Sequence, residues 1–445
     1  MVDDSGAVAR RDFIKSAAVS GAGLMLSARV APLYAANRSP SDTVRVAVMG
    51  LNGRGAVHAK TFAKTANVEV AYVCDVDANV LAASMKEMSR TASASVKATA
   101  DFRRALDDKT VDALVIAAPD HWHAPAALLA MQVGKHVYVA KPCGHNAREG
   151  ELLVAMQQKT GKVVQMGTRQ RSHDRSRDII SAFHEGAIGT AYQGRAWYAN
   201  TRVGIGKGKV APVPAHLDYA LWQGPAPRMP YQDNLIHYNW HWFKHWGTGE
   251  ICNNGTHEID IARWALGVTY PTGVASIGGR FHFADDWQFP DTQAALFEFE
   301  GNKSIVWQAQ SCNGALTQGR ARGTMVLGTT GSVVMDRDGY TIDDLKNKVI
   351  KESIGPKGDA LNTSADDVAT GVHIANFIDA VRTGAALHAP IAEGAKSVLL
   401  CHLGNIAQQT HRKLRIDPTT GHVLDDAEAL KMCRREYAPG WMPVT

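Results

Sequence analysis

The run VRVAVMGLNGRG, residues 44–55, joins a short apolar strand directly to a turn that contains three glycines. Valines at alternate positions over 44–48 are typical of a strand, and a helix is predicted over 58–65. Glycines at such a turn let the backbone approach a pyrophosphate, and the helix N-terminus offers free N–H groups. The stretch therefore predicts a dinucleotide site, although its spacing is GxxGxG and not the commoner GxGxxG.

A second strand is predicted over 68–74, and it ends at Asp75, which follows Gly50 by about 25 positions as in dinucleotide-binding folds. The Asp75 carboxylate should accept hydrogen bonds from the adenosine ribose hydroxyls, and its charge would repel a 2′-phosphate. NAD is therefore preferred over NADP as the cofactor. The cofactor contacts predicted from this first unit are Gly50, Asn52, Gly53, Arg54, Gly55 and Asp75.

A continuous apolar strand over 113–118 is followed by a predicted loop, 119–123, and a further strand over 137–139 leads to Lys141. Ligands of an open α/β sheet bind at the carboxyl ends of its strands, so the loop and the lysine should border the nicotinamide half of the cofactor. The contacts predicted here are Pro119, His121, Trp122, His123 and Lys141. The two histidines could instead bind a metal, but no further ligand stands at a recognised spacing, so no metal site is predicted.

The length of the chain after its N-terminal segment exceeds what one core usually holds, so two domains are expected. The first, over 41–165, reads as an α/β Rossmann domain with a doubly wound, mostly parallel sheet. Apolar and polar residues then alternate over 193–200, 274–283, 292–300 and 304–310, which predicts a mainly antiparallel sheet with one covered face in an α+β domain over 166–425. A tail over 426–445 should wrap across the first domain or a neighbouring subunit.

The N-terminus carries Arg10 and Arg11 ahead of a short stretch rich in small residues, and 1–36 reads as a removable twin-arginine signal. The alternative is that the two arginines occur in this N-terminal segment by chance and are not part of a signal. A twin-arginine signal implies the export machinery as a partner, folding before export, and a periplasmic or otherwise exported enzyme. The cleavage site stays ambiguous between Ala31 and Ala36.

Lys plus Arg number 48 against 43 for Asp plus Glu, and these charges are spread along the chain, so nucleic acid is not expected as a partner. No second apolar stretch reaches the length of a membrane span. The six cysteines are widely spaced without a CxxC pair, so they are expected to be mostly buried and reduced.

Residues 217–264 are rich in aromatic side chains and histidines, and they hold five of the ten tryptophans. Flat apolar faces with polar edges suit the C–H patches and hydroxyls of a sugar, so a carbohydrate cleft is one interpretation. The other is that several of these rings fill the core between the domains.

In combination, GLNGRG (50–55), CDVD (74–77), APDHWHAPAALLAMQVGKHVYVAKP (118–142) and GTGEICNNGTHEIDIARWALG (247–267) resemble the glucose-fructose oxidoreductase / inositol dehydrogenase / MocA family. The resemblance covers essentially the whole chain after its N-terminal segment. It implies a catalytic role for Lys141 near the reacting carbon, substrate specificity from the second domain, and a large open sheet that often serves in oligomerisation. Ala140 stands where the family usually has glutamate.

Inositol-dehydrogenase-like members carry an aspartate four residues before the histidine that corresponds to His257, and Asn253 stands there in this chain. An amide cannot accept a proton, so His257 is the candidate base. Glu250 could replace the missing acid, or it could cap the helix. The predicted substrate contacts are Arg171, His237, Tyr238, Trp240, Glu250 and Asn253.

The function expected from these features is exported, NAD-dependent oxidation of a secondary hydroxyl on a sugar or sugar derivative, with a tightly bound and recycled cofactor, in a homo-oligomer. A redox-neutral glycosidase that oxidises C3 transiently is the second interpretation. A non-catalytic sugar-binding protein that keeps NAD is the third.

Overall fold

The computed structural model describes residues 43–92, 95–355 and 368–441. The proposed signal over 1–36, with Arg10 and Arg11, lies outside the described residues. The described residues form one unit that contains both predicted domains.

The first domain is built on a parallel sheet of six strands in the order β3-β2-β1-β4-β5-β6. The reversal of strand order beside β1 is the topological switch point at which such sheets bind dinucleotides. Its strands and helices are β1 Val44–Met49, α1 Arg54–Lys64, β2 Val68–Cys74, α2 Ala78–Thr91, β3 Lys97–Thr99, α3 Arg103–Asp107, β4 Ala113–Ile116, α4 Asp120–Gln132, β5 His136–Val139, α5 Ala147–Thr160 and β6 Val164–Met166.

Two boundaries in this domain differ from the sequence prediction. Helix α1 begins four residues before the predicted start, immediately after the glycine turn. The predicted loop over 119–123 is the first turn of α4, which continues through Pro125. Proline removes the N–H that would bond to the His121 carbonyl, and that carbonyl instead accepts a hydrogen bond from Arg435 at 2.7 Å. Helix α4 thus begins before Pro125, and the carbonyl that the proline leaves free has its partner at the far end of the chain.

The second domain is built on an eleven-stranded sheet in the order β15-β14-β13-β12-β7-β10-β9-β8-β16-β17, with β11 paired to β7. Most pairs are antiparallel as predicted, but β7 and β10 run parallel in the middle of the sheet. Its strands and helices are α6 Asp174–His184, β7 Ala191–Thr201, α7 Tyr219–Gln223, α8 Thr256–Leu266, β8 Gly273–Gly279, β9 Thr292–Phe299, β10 Lys303–Gln310, β11 Cys312–Asn313, β12 Arg322–Gly328, β13 Gly331–Met335, β14 Gly339–Asp344, β15 Val349–Ile354, α9 Val368–Thr383, α10 Ile391–Thr410, β16 Leu414–Ile416, β17 Val423–Leu424 and α11 Ala427–Met432.

One face of this large sheet is buried against helices. Phe297, Ile305 and Trp307 are fully buried there and pack with apolar residues of α8 and α10. On the other face Ile277 is 75% exposed. The alternation of apolar and polar residues predicted a sheet with one covered face, and this prediction is confirmed.

The two long C-terminal helices also cover the first domain. Ile374 and Phe377 of α9 lie in the core beside β1 and β2, and Ile391 and Val398 of α10 pack with residues of α4 and α5. The segment after α11 reaches the same domain, because Trp441 meets Trp122 edge to face with ring centres 5.0 Å apart. The described end of the tail therefore lies against helix α4 of the first domain.

All six cysteines are free, and four of them are buried, in agreement with the expectation from their spacing. Among the described helices, none combines the length and the apolar character needed to cross a membrane.

Candidate active site

The glycine turn after β1 is packed so closely that side chains would not fit. A Cβ on Gly55 would lie 1.6 Å from the carbonyl oxygen of Gly50, and a Cβ on Gly50 would lie 2.7 Å from the amide nitrogen of Ala118. Gly50 also has a φ of 80°, a left-handed conformation that favours glycine. Gly55 lets α1 pack against the turn, so the helix N-terminus can face a pyrophosphate.

Asp75 lies at the end of β2, as predicted, and it lines the same pocket as the glycine turn. Its carboxylate accepts hydrogen bonds from the backbone N–H of Leu51 at 2.7 Å and of Asp77 at 3.0 Å. Burial raises the pKa of Asp75, while these two N–H groups act in the opposite direction. The carboxylate is thus fixed in orientation at the place where an adenosine ribose would bind.

A cavity of about 260 Å³ runs from the glycine turn to the beginning of α4. Seven of the predicted cofactor contacts line it, and a glycine turn with an acid at the end of β2 is the set of groups that NAD requires. These residues are Gly50, Asn52, Gly53, Arg54, Asp75, Pro119 and Trp122.

His121 and His123 lie behind this cavity and do not line it. The His121 ring packs against both Trp222 and Trp246, and its Nε2 lies 2.9 Å from the Trp222 carbonyl. The two nitrogens of His123 lie close to the carbonyls of Pro142 and Ala118. Both histidines therefore support the pocket by packing and hydrogen bonding. Among the described residues, no group of three or more His, Cys, Asp and Glu side chains is arranged to hold a metal ion.

Lys141 follows β5 and lines a second cavity of about 280 Å³, not the one next to the glycine turn. Its Nζ donates hydrogen bonds to the carbonyl oxygen of Asn253 and, at 2.8 Å, to the side-chain oxygen of the same residue. Burial lowers the pKa of Lys141 to about 8, and the nearby Asp120 and Glu250 oppose that shift. The side chain of Lys141 can therefore gain or lose a proton close to neutral pH.

Asp120, at the start of α4, is a buried acid that sequence reasoning did not single out. It is 3% exposed and accepts a hydrogen bond from the Thr248 hydroxyl. Burial raises the pKa of Asp120 to about 7, while the Thr248 hydrogen bond and Lys141 lower it. Asp120 thus brings a carboxyl group from α4 close to Lys141, where Ala140 provides none.

His257 lies in α8 and lines the same cavity as Lys141 and Asn253. A π-helical turn, Ile251–Gly255, precedes α8, and Asn253 belongs to that turn. The His257 side chain is 4% exposed, and its Nδ1 has no hydrogen-bond partner. Burial and nearby cations, led by Lys141, lower the pKa of His257 well below its ordinary value. The imidazole is therefore neutral at neutral pH.

Glu250 neither lines the cavity nor caps the following turn. No cap hydrogen bond comes from its side chain, and its carboxylate instead accepts hydrogen bonds from Arg202 at 2.9 Å, Ser311 at 2.9 Å and the side-chain amide of Asn254. Glu250 thereby positions two residues that do line the cavity, Arg202 and Asn254.

Arg171 is placed away from both cavities. It forms a two-pronged ion pair with Asp260, with N–O distances of 2.7 and 2.8 Å, and lies over the Trp264 ring. From the same 3₁₀ turn, it is Arg169, two residues earlier, that lines the cavity of Lys141.

The other predicted substrate contacts divide between the two cavities. Tyr238 lines both, whereas His237 and Trp240 line the cavity next to the glycine turn. His237 lies 2.9 Å from the carboxylate of Asp77. Trp242 and Trp246 are buried and belong to the core, so part of the aromatic stretch fills space between elements.

Several cavity residues were missed because elements far apart in the sequence supply them. Tyr198, Asn200 and Arg202 stand at alternate positions along and just after β7, so they point to one side of the sheet. That alternation was visible in the sequence. Other missed lining residues, among them His58, His241, Arg322 and Arg337, carried no local signal.

Comparison with known proteins agrees with this architecture. A model of an oxidoreductase family with an NAD-binding Rossmann fold matches residues 44–168, and a model of the C-terminal alpha/beta domain of that family matches 187–276. Among solved structures, levoglucosan dehydrogenase in complex with NADH and L-sorbose superposes with a TM-score of 0.65 at 16% identity, over 84% of this chain and 99% of that one. A myo-inositol 2-dehydrogenase from Lactobacillus plantarum gives 0.60 at 18%, over 84% and 100%. At identities this low, the superpositions establish the fold alone.

Curated proteins of similar sequence are named as glycosidases and not as dehydrogenases. A glycosyl hydrolase family 109 protein from Shewanella pealeana is 28% identical over 212 residues, which are 42% of this chain and 45% of that protein. An alpha-N-acetylgalactosaminidase from Shewanella oneidensis is 25% identical over 208 residues, 42% of this chain and 45% of its own length. The chain thus spans less than half the length of these curated relatives. From the two family models and the shared architecture, the chain belongs to the glucose-fructose oxidoreductase / inositol dehydrogenase / MocA family of oxidoreductases, with an NAD-binding Rossmann domain.

Proposed function

We propose that this protein is an NAD-dependent oxidoreductase that acts on a secondary hydroxyl of a sugar or sugar derivative. One observation carries the proposal: Lys141 and His257 line a single cavity that shares Arg54, Tyr238 and His241 with the NAD pocket. A cavity of about 280 Å³ lies at the lower end of the usual range for small-ligand sites, in keeping with one sugar ring.

The residues of the cavity have complementary tasks. Neutral His257 takes the proton of the reacting hydroxyl, and the Lys141 ammonium stabilises the negative charge that develops on its oxygen. Asn253 holds Lys141 through two oxygens and so fixes the direction of its remaining N–H group. Bound NAD would supply the hydride acceptor at the carbon that carries this hydroxyl.

The absorbance of reduced nicotinamide tests this function directly. Protein purified with its own cofactor is mixed with a panel of free sugars, polyols and glycosides, and a gain of that absorbance is expected with at least one of them. If the protein binds sugars but none of them reduces the cofactor, it is a sugar-binding protein in which NAD is structural.

A redox-neutral glycosidase is the second candidate, and the glycosyl hydrolase family 109 relatives favour it. In this reaction, oxidation at C3 acidifies the C2–H bond, loss of that proton expels the leaving group from C1, water adds to the resulting alkene, and the C3 ketone is reduced again. The sugar is released without net oxidation.

Heavy water separates the two candidates. A glycosidase of this kind releases the aglycone and a sugar that carries deuterium at C2 and is not oxidised, whereas simple oxidation gives a net oxidised sugar. NMR of the product made from an aryl glycoside therefore decides between them.

Export through the twin-arginine route belongs to the proposal. Arg10 and Arg11 support it, and because free NAD is not expected outside the cytoplasm, an exported enzyme must keep its cofactor bound and recycle it. Replacing both arginines by lysine should retain active, NAD-loaded protein in the cytoplasm. Cell fractionation tests this, and export of the double variant would contradict it.

We also propose that the enzyme is a homo-oligomer assembled through the open face of the large sheet. Ile277 and Leu296, on adjacent strands, are 75% and 36% exposed there. Light scattering of the wild type and of an Ile277→Glu variant tests this, with a smaller particle expected for the variant. A monomeric wild type would contradict the proposal.

A further inference from the structure

The NAD cavity has a wall from each domain. The Rossmann domain contributes the glycine turn, Asp75 and the start of α4, and the second domain contributes a single segment, 216–246, which we call the strap. The sequence predicted His237, Tyr238 and Trp240 as substrate contacts, yet all three line the cofactor cavity. The strap residues that line it are Leu221, Trp222, His237, Tyr238, Trp240 and His241.

The strap has an apolar core of its own. Seven of its side chains are buried in one cluster, and Val76, from the turn between β2 and α2, packs against them. A segment with a packed core opens as a unit and not residue by residue. The seven are Leu217, Tyr219, Trp222, Ala226, Leu235, Phe243 and Trp246.

The beginning of the strap is hydrogen-bonded to the turn between β2 and α2. The N–H of Ala78 donates to the carbonyl of His216 at 2.8 Å, and the N–H of Asp218 donates to the carbonyl of Val76 at 3.0 Å. These two bonds form a short antiparallel bridge between the domains. The turn directly follows Asp75, so the strap closes the cavity at the end where the adenosine ribose would bind.

Asp77 ties this turn to the strap through its side chain. Its Oδ1 accepts hydrogen bonds from the backbone at the start of α2, and its Oδ2 lies 2.9 Å from Nε2 of His237 and 3.6 Å from Nε2 of His216. Asp77 is 3% exposed, and burial strengthens a hydrogen bond to its carboxylate. Burial raises the pKa of Asp75, and His237 is among the groups that oppose this rise. His237 therefore stands beside both acids at the ribose end of the cavity.

The strap is also held at the start of α4. The carbonyl of Trp222 accepts a hydrogen bond from Nε1 of Trp122 at 2.9 Å, and the carbonyl of Trp246 accepts one from the N–H of His121 at 3.2 Å. A Cβ on Gly224 would lie 1.9 Å from the Trp122 ring, so the strap and α4 are in direct contact. The strap therefore reaches from the turn after β2 to the start of α4.

We propose that the strap retains NAD and that the contact between His237 and Asp77 holds it closed. The strap must separate from the turn after β2 before NAD can leave, and this separation breaks the side-chain contact and both backbone hydrogen bonds together. His237 and Asp77 are thus cofactor-retaining residues. This inference rests on the proposed function, because it explains how the cofactor of that reaction stays bound.

Cofactor exchange tests the proposal on the NAD-loaded protein. The protein is mixed with an excess of NAD that carries a heavy isotope, and the label in the bound cofactor is followed by mass spectrometry. His237→Ala and Asp77→Ser should each speed exchange about tenfold or more, the effect expected when one hydrogen bond to a charged group is lost. Serine still caps α2, but it is too short to reach His237. Exchange at the wild-type rate in either variant overturns the proposal.

Matched controls separate the contact from general stability. Asp426 caps α11 and pairs with Arg412, and it does not line the NAD cavity, so Asp426→Ser should exchange NAD at the wild-type rate. A folded variant that purifies without NAD is reloaded before the measurement. The double variant His237→Ala with Asp77→Ser should exchange no faster than the faster single variant, because both changes remove one contact. Fast exchange in Asp426→Ser, or effects that multiply in the double variant, overturns the role of this contact.

Hydrogen exchange reports the opening itself. The amides of Ala78 and Asp218 bridge the strap and the turn, so they exchange when the strap opens. In NAD-loaded protein they should exchange about tenfold faster in His237→Ala than in the wild type. The amide of Ala429, which bonds to Asp426 in α11, should keep its rate. Equal protection of Ala78 and Asp218 in both proteins overturns the proposal.

The readouts also separate this inference from the proposed function. A protein that releases NAD slowly as wild type and rapidly as His237→Ala, yet reduces it with no sugar, supports the inference and removes the function. A protein that oxidises a sugar, and exchanges NAD equally fast with and without His237, keeps the function and removes the inference.

Discussion

The Nζ atom of Lys141 lies 2.8 Å from Oδ1 of Asn253, a residue that cannot carry the charge an aspartate would carry there. Burial therefore dominates over neighbouring carboxylates and lowers the pKa of Lys141 to about 8. If protonated Lys141 stabilises the developing negative charge, the rate must fall as the pH rises through that value.

Asn253→Asp should move this alkaline decline to higher pH, because a carboxylate next to Nζ favours the protonated ammonium. The measurement is the pH dependence of kcat/KM for the wild type and the variant. Asn200→Asp, in the same cavity but hydrogen-bonded to Tyr198, serves as a comparison with a smaller expected shift. An alkaline decline at the same pH in wild type and Asn253→Asp would remove Lys141 from the rate-determining step.

Lys141→Ala and His257→Ala should each lower turnover by about a hundredfold or more, since general acid–base groups contribute about 10²–10⁴. Both should keep NAD bound, because neither side chain lines the cofactor cavity. Turnover and cofactor content are measured on the same preparations. His422→Ala, at an exposed histidine paired with Glu151, is the control. Variants with wild-type rates would exclude the proposed roles.

Gly55→Ala should abolish NAD binding or folding, because its Cβ would overlap the carbonyl oxygen of Gly50. Gly371→Ala is the matched control: it lies inside α9 with open space around the added carbon. Alanine there should stabilise the protein by about 0.4–1 kcal/mol. Thermal unfolding and cofactor content measure both effects, and a Gly55→Ala variant that retained NAD at wild-type stability would contradict the description of the turn.

Arg171→Met should reduce stability and leave substrate affinity unchanged once the protein is folded. The substitution leaves Asp260 buried without its ion-pair partner, at a cost of about 3–5 kcal/mol. Arg171→Met combined with Asp260→Leu should recover much of that loss. Denaturant unfolding and KM are the measurements, and a raised KM with unchanged stability would restore Arg171 as a substrate contact.

The sequence was sufficient for features that depend on neighbours along the chain. The glycine turn after a valine-rich strand, Asp75 at the end of β2 and Lys141 after β5 all lie where local patterns placed them. Parallel strands bring such residues to one edge of a sheet by topology alone, so no side-chain detail was needed.

Features that depend on distant partners were not predictable. Helix α4 begins at Asp120, before Pro125, and its free His121 carbonyl is bound by Arg435 from the far end of the chain. In the 3₁₀ turn over Arg169–Ser172, residues two apart point in different directions, so Arg169 reaches the cavity while Arg171 pairs with Asp260. Arg322 and Arg337 line the same cavity because of the register between β12 and β13, and this register cannot be read from the sequence.

A sugar hydroxyl next to Lys141 and His257 should be oxidised at the expense of bound NAD. A single-turnover experiment tests this oxidation: protein loaded with its own cofactor is mixed with the tightest-binding sugar, and the absorbance of reduced nicotinamide is followed. This absorbance should appear in the wild type and should appear much more slowly in His257→Ala and Lys141→Ala. A tightly bound sugar that produces no reduced cofactor in the wild type, and no exchange of its C2 hydrogen in heavy water, would contradict this prediction.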